Sequence, residues 1–155
     1  MVPLRVVVCF ALLAAAAATN VNQCPGMDIP DLSENVQLSP CTKPPCRLKK
    51  GTNQSITIKF TPGKDLNDVK NGVSADIGGG LLVPFLGVDG NSICDKVFTE
   101  NGDKASCPLK SGTTYLYKDS FPIYAIYPSI KVKVHWELKD DSGDITCFEV
   151  PARIV

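Results

Sequence analysis

The sequence is short of the residues that most catalysis needs. It holds a single histidine, His135, and no Gly-x-Ser-x-Gly run, so a serine triad has little to build on. No Cys-x-x-Cys pair occurs, which weighs against zinc-ribbon chemistry and against a thiol redox centre. Gly78-Gly79-Gly80 is followed by no Gly-Lys-Ser/Thr, so it is no phosphate loop. Like charges never run beyond two in a row, as at Lys49-Lys50 and Asp140-Asp141, and the formal net charge is zero. A nucleic-acid partner demands a basic surface, and none is indicated. These absences point away from an enzyme, and no cofactor or metal is implied.

One apolar run stands at the start. Arg5 gives a positive flank, Val6 to Leu13 is apolar, and Ala14 to Ala18 supplies small residues suited to cleavage. This pattern is that of a secretory signal peptide over residues 1–19, leaving one domain over 20–155. At thirteen residues, Val6 to Ala18 falls short of the roughly 20 that a spanning helix needs. Without Arg5, fifteen basic and sixteen acidic residues remain, a formal charge of −1. Cys9 leaves with the leader, so six cysteines remain: Cys24, Cys41, Cys46, Cys94, Cys107 and Cys147. An even count in a secreted chain implies three disulfides, with about fifteen connectivities open. Cys41 and Cys46 flank a double proline, a spacing that suits a local bridge across a turn.

The clearest periodicity lies in Ser129 to Lys139. Side chains on a strand alternate faces. Ile130, Val132, Val134, Trp136 and Leu138 therefore share one face, and Lys131, Lys133, His135, Glu137 and Lys139 the other. This is a long antiparallel strand with one buried face. Shorter strands are expected at Val36–Leu38, Ile56–Phe60, Val73–Ile77, Thr114–Lys118 and Ile145–Ile154, with Phe148 and Cys147 on opposite faces of the last. Residues 62–71 and 89–110 read as loops. The prediction is an all-β, immunoglobulin-like sandwich of about seven strands in two antiparallel sheets. Asn53-Gln54-Ser55 is the one glycosylation sequon, and occupancy requires Asn53 to face solvent.

Two apolar runs are broken by proline: Leu81 to Leu86, with Pro84, and Phe121 to Pro128. Proline cannot serve a central ladder, so neither run reads as an ordinary inner strand. One reading is that they fill the sandwich edge. The other is that they hold the sheets apart and leave an apolar slot for a ligand.

At these residues the chain resembles the ML lipid-recognition family, and within it the Niemann-Pick type C two (epididymal secretory) sterol carriers. The matching motifs are Cys-Thr-Lys-Pro-Pro-Cys at 41–46, Val83-Pro84-Phe85, Cys107-Pro108-Leu109, Thr114-Tyr115-Leu116-Tyr117, Tyr127-Pro128-Ser129-Ile130, Trp136-Glu137-Leu138 and Cys147-Phe148-Glu149-Val150-Pro151. Together they span essentially the whole mature chain. The resemblance implies a seven-stranded sandwich that holds one sterol or other lipid between its sheets. It implies the pairings Cys24–Cys147, Cys41–Cys46 and Cys94–Cys107. It places Phe85, Ile123 and Tyr127 at the pocket, with Val83, Pro84, Pro122, Pro128, Trp136 and Phe148 as neighbours. It further implies a monomeric secreted or lysosomal carrier that meets a membrane or membrane receptor during lipid hand-off. Fatty-acid or semiochemical carriage and recognition of microbial glycolipid are the alternative roles within the same resemblance. The family's sterol carriers usually have His-Gly and then bulky apolar residues where this chain reads Ala75-Asp76-Ile77-Gly78-Gly79-Gly80.

Overall fold

The computed structural model describes residues 17–155; most of the expected leader, residues 1–16, lies outside them. Eleven strands run as β1 (Asn22–Gln23), β2 (Val36–Ser39), β3 (Cys46–Leu48), β4 (Thr52–Phe60), β5 (Lys70–Asp76), β6 (Leu82–Pro84), β7 (Val97–Thr99), β8 (Lys104–Ala105), β9 (Tyr115–Ile123), β10 (Lys131–Asp140) and β11 (Gly143–Ile154). One sheet has the order β1-β11-β10-β5-β6, with β3 also on β11; the other has the order β2-β4-β9-β7-β8. All pairs are antiparallel except β3 with β11. The expected two-sheet sandwich is present, and the strand number exceeds seven because several short edge pieces add to five long strands.

The alternation in β10 holds. Val132, Val134, Trp136 and Leu138 are buried, whereas Lys131, Lys133 and Lys139 are exposed. β11 presents Phe148, Val150, Ala152 and Ile154 to the same interior. Fully burying each such side chain contributes about 1.5–3 kcal/mol before entropy is charged against it. Cys147 faces the other way, yet it is buried too, because its disulfide to Cys24 draws the chain after β1 over it. The other bridges are Cys41–Cys46 and Cys94–Cys107. Thr19 is buried, donates its N–H to Val36 O at 2.9 Å, and accepts the Leu38 N–H on its hydroxyl at 2.7 Å.

Three readings need correction. The segment 89–110 is not simply loop: it carries β7 and β8, and Ile93, Val97 and Leu109 are fully buried. Its turn residues mask single apolar anchors spaced too far apart to show a period. The loop expected over 62–71 likewise buries Leu66 and Val69 and ends inside β5. Finally, the second proline-broken run begins as strand, since β9 continues through Phe121, Pro122 and Ile123. β7 pairs with β9 only over Tyr115 to Tyr117, so beyond that point β9 has an unpaired side and tolerates the proline.

The two ends of the sandwich close differently. At one end a buried chain of hydrogen bonds crosses between the sheets. Trp136 Nε1 donates to Asn71 Oδ1 at 3.0 Å, Asn71 Nδ2 donates to Tyr117 Oη at 2.8 Å, and Tyr117 donates to Asp119 Oδ2 at 2.7 Å. Lys96 completes it by pairing with Asp119 at 3.0 Å. Burial pushes the Tyr117 hydroxyl far above its ordinary range, with the Asp119 hydrogen bond adding to it. At the other end the strand termini hold almost only apolar side chains.

Candidate functional site

β6 is an edge strand, held to β5 by the pairs Ser74–Pro84, Ala75–Val83 and Asp76–Leu82. Its outer side has no neighbour, which is why Pro84 is tolerated there. The turn leading into it uses three glycines with positive φ, 120°, 66° and 76° at Gly78, Gly79 and Gly80, a backbone that side-chain residues rarely adopt. Chain continuing from β6 then turns inward. The Phe85 N–H donates to Val73 O at 2.8 Å, and the Phe85 ring is buried. Opposite, the loop between β9 and β10 brings Tyr127 back over the gap. Its hydroxyl accepts the Leu86 N–H at 3.0 Å, and burial pushes its pKa up.

These two segments bound an apolar cavity of about 280 Å³. Val83, Pro84, Phe85 and Leu86 form one wall, and Tyr127 and Pro128 another. Val132 of β10 and Ile130 just before it, Ala75 and Ile77 beside β6, and Ile154 of β11 form the floor. The one polar side-chain atom among these residues is the Tyr127 hydroxyl. Behind Phe85 lies a separate void of about 20 Å³, bounded by Phe121, Val134, Trp136 and Val150, among others. Phe85 lines both spaces. Its ring meets Tyr127 edge-on at 5.4 Å and Phe121 at 5.9 Å, and Phe121 meets Trp136 at 5.2 Å. Aromatic contacts of this kind contribute about 0.5–1.5 kcal/mol each beyond burial.

The residues expected at the pocket therefore divide. Val83, Pro84, Phe85, Tyr127 and Pro128 come together at the cavity. Trp136 borders only the inner void, and Phe148 stacks behind it at 6.2 Å. Ile123 is buried outside both linings, and Pro122 lies beside Gly87 on the outer side. Sequence reasoning passed over Ala75, Ile77, Leu86, Ile130, Val132 and Ile154. Val132 and Ile130 carried the signal on the apolar face of the expected strand Ser129 to Lys139, and Leu86 carried it in the run Leu81 to Leu86; Ala75 carried none.

Around the mouth the apolar surface is open to solvent. Leu81 is 61% exposed, Leu82 59% and Ile126 80%. Single exposed apolar residues are ordinary, but a contiguous patch of them marks an interaction surface.

His135 lies on the far face of β10 and is half-buried rather than exposed. Its Nε2 is 3.4 Å from Cys147 Sγ, and its Nδ1 is 3.3 Å from Glu149 Oε1. Beside it, burial pushes Glu137 up, but Lys139 at 2.8 Å outweighs this and holds the carboxyl below its usual range. Burial and the Glu137 charge raise Asp144. A Cβ on Gly72 would press within 2.6 Å of Glu137 Cγ, so only glycine leaves that carboxylate its place. His135 thus faces carboxylates and a disulfide on the opposite side of the sheet from the cavity, an arrangement that supplies no nucleophile.

Comparison with known proteins follows the same outline. The family model described as ML domain matches residues 18–154. The ecdysteroid-regulated 16 kDa protein of Manduca sexta is 36% identical over 109 residues, 70% of each chain. The NPC intracellular cholesterol transporter 2 of Danio rerio is 32% identical over 123 residues, 77% of this chain and 75% of its own. Its homolog a in Drosophila melanogaster is 31% identical over 150 residues, 96% of each. Among solved structures, a Niemann-Pick type C2 protein from the Japanese carpenter ant superposes with a TM-score of 0.65 at 25% identity, covering 77% of this chain and 89% of that one.

Proposed function

The chain belongs to the ML-domain family, and from that premise we propose that it is a carrier binding a single sterol or similarly apolar lipid in the cavity between its sheets. The observation that carries this reading is the 280 Å³ apolar space opening at one end of an otherwise densely packed sandwich. Left empty and enclosed, such a space costs on the order of 7 kcal/mol, comparable with a domain's net stability of about 5–15 kcal/mol. A ligand that hides about 400 Å² there gains on the order of 10 kcal/mol before association costs. Phe85, Tyr127, Val83, Pro84 and Pro128 are its contacts in this reading. Trp136, Phe148, Ile123 and Pro122 support them from behind.

The same volume favours a second ligand class. Pockets for small molecules run from about 300 to 1,000 Å³, and 280 Å³ lies just under that range. A slim single-chain lipid, such as a fatty acid or semiochemical, fits the space with no rearrangement of Phe85, whereas a sterol gains by joining it to the void behind. Recognition of a microbial glycolipid is a role of the same cavity with a different tail.

The remaining features accord with a secreted or lysosomal monomer. The leader expected over residues 1–19 is removed by a cut just before Thr19 rather than after it, which keeps the buried hydroxyl that accepts the Leu38 N–H. Asn53, exposed on β4, carries a glycan. The bare rim of Leu81, Leu82 and Ile126 touches a membrane or receptor as lipid is handed over. No chemistry is performed on the cargo.

The test is titration of purified protein with a fluorescent sterol and a fluorescent fatty acid. Saturable uptake of one ligand per chain is expected, weakened by Phe85→Ala and by Tyr127→Ala. Failure to take up either probe ends the proposal.

A further inference from the structure

The turn between β3 and β4 passes from one sheet to the other across the open end. The Lys50 N–H donates to Val155 O at 2.9 Å, beside the cavity-lining Ile154. The next N–H, of Gly51, donates to Ile123 O at 2.7 Å on the opposite sheet. Both anchors fix where the Lys50 side chain starts. It arcs over to Ser129, whose hydroxyl accepts from Nζ at 2.8 Å. Ser129 stands between Pro128 and Ile130, and both of those line the cavity. The ammonium is therefore held at the cavity's edge by one neutral hydroxyl.

Its surroundings are unusual for this molecule. Among the described lysines, only Lys50 and Lys96 are half-buried; every other is exposed. Lys96 meets the Asp119 carboxylate at 3.0 Å. Lys50 has no carboxylate within 4.0 Å among the described residues, that of Val155 included. An ammonium offers three donors, of which Ser129 takes one. On the strands beside this turn, cations gather on the outer face, opposite the inward-facing Val132 and Ile154. Lys131 and Arg153 are cross-strand partners, and Arg153 in turn aligns with Arg47. Like charges set opposite each other are destabilising unless something anionic arrives.

We propose that Lys50, with Ser129, is a head-group clasp: it selects lipids whose polar end is an anionic oxygen group, a carboxylate first of all, with the hydrocarbon lying in the cavity. This rests on the carrier reading above and sharpens it. The cavity walls distinguish tails by shape alone, because they carry no charge. Discrimination between an acid and the matching alcohol must come from the rim, and Lys50 is the cation tethered there.

The experiment uses the neutral probe N-phenyl-1-naphthylamine, displaced by palmitoleic acid or by palmitoleyl alcohol, which share one tail. For the wild type the acid displaces the probe about tenfold more tightly than the alcohol, the usual value of a charge-assisted hydrogen bond. In Lys50→Met, which keeps the apolar stem, that preference vanishes while alcohol affinity is unchanged. Lys50→Arg retains it. In the wild type the preference also shrinks near 1 M salt, where the screening length falls to about 3 Å, so the idea stays open to refutation even if Lys50→Met folds poorly. Equal affinities for the two lipids in the wild type, a preference surviving Lys50→Met, or indifference to salt each overturns the clasp. Displacement by neither lipid overturns the clasp, and the carrier reading then stands or falls on the sterol titration above. Displacement by both alike removes the clasp only.

Discussion

The two ends of this sandwich are built from the same strands and sealed by opposite means. At the far end Asn71, Tyr117, Asp119 and Lys96 tie one sheet to the other through hydrogen bonds, with Leu66, Ile93, Leu109 and Leu138 packed around them at essentially zero exposure. At the open end the sheets part over Ile130, Val132 and Ile154, the Tyr127 hydroxyl is the one polar side-chain atom lining the space, and among the described residues the backbone of Lys50 and Gly51 joins the sheets at the rim. Buried polar pairs are costly unless fully matched, and this set is matched from the Trp136 indole to the Lys96 ammonium. Local stability differs across a structure, and sites of binding are drawn from its less stable parts. The far end supplies rigidity; the near end is free to stay unfilled.

That contrast is breakable by mutation. The largest effect belongs to Asn71→Ala, which strands the Trp136 N–H in the core and leaves the Tyr117 hydroxyl only its bond to Asp119. Thermal unfolding is expected to show a loss of about 3 kcal/mol or more, with lipid uptake per folded molecule unchanged. Next comes Phe85→Ala at the open end. Lipid affinity is expected to fall by tenfold or more in a fluorescence titration, because it removes an aromatic wall worth a few kcal/mol. A Phe85→Ala protein with wild-type affinity would mean that the ligand sits elsewhere.

Smaller effects sharpen the comparison. Gly72→Ala forces Glu137 aside and is expected to cost about 1–3 kcal/mol by chemical denaturation, again with uptake intact, since Glu137 faces away from the cavity. Leu82→Ser and Ile126→Ser on the exposed rim are expected to change stability by less than about 0.5 kcal/mol; vesicle-transfer rates rather than binding should respond. The slightest change concerns Asp140, which Lys64 and Ser142 hold at about 2. Because its folded value lies below the ordinary 3.8, its contribution is complete above that pH and disappears as pH falls toward 2. NMR titration should place it there, and Lys64→Ala should return it toward 3.8.

The sequence was most readable where a period of two met an apolar face. β10 has that pattern along its length and β11 from Phe148 onward, and both strands form, β11 starting two residues before the expected Ile145. The proline-broken runs were readable as anomalies, because proline is excluded from paired ladders; β6 and the loop to Tyr127 are where those anomalies meet. Three things were hidden. Segment 89–110 looks like loop because Ile93, Val97 and Leu109 are isolated among Asn, Asp, Gly and Lys, and only the surrounding fold makes anchors of them. The pairing of Asn71 with Trp136 spans 65 residues, and no local pattern announces it. Lys50 stands in the sequence only as half of a two-lysine run, since a tether to Ser129, 79 residues away, leaves no trace in the neighbouring sequence.

The central claim is that the space beneath Tyr127 is kept for a lipid. Val132 lies on its floor, and Val132→Phe would fill part of it with the protein's own ring. Native mass spectrometry after incubation with lipid measures the outcome directly. The account predicts one bound lipid per wild-type chain and none on a Val132→Phe chain that unfolds at the same temperature or higher. Equal loading of the two proteins would contradict it.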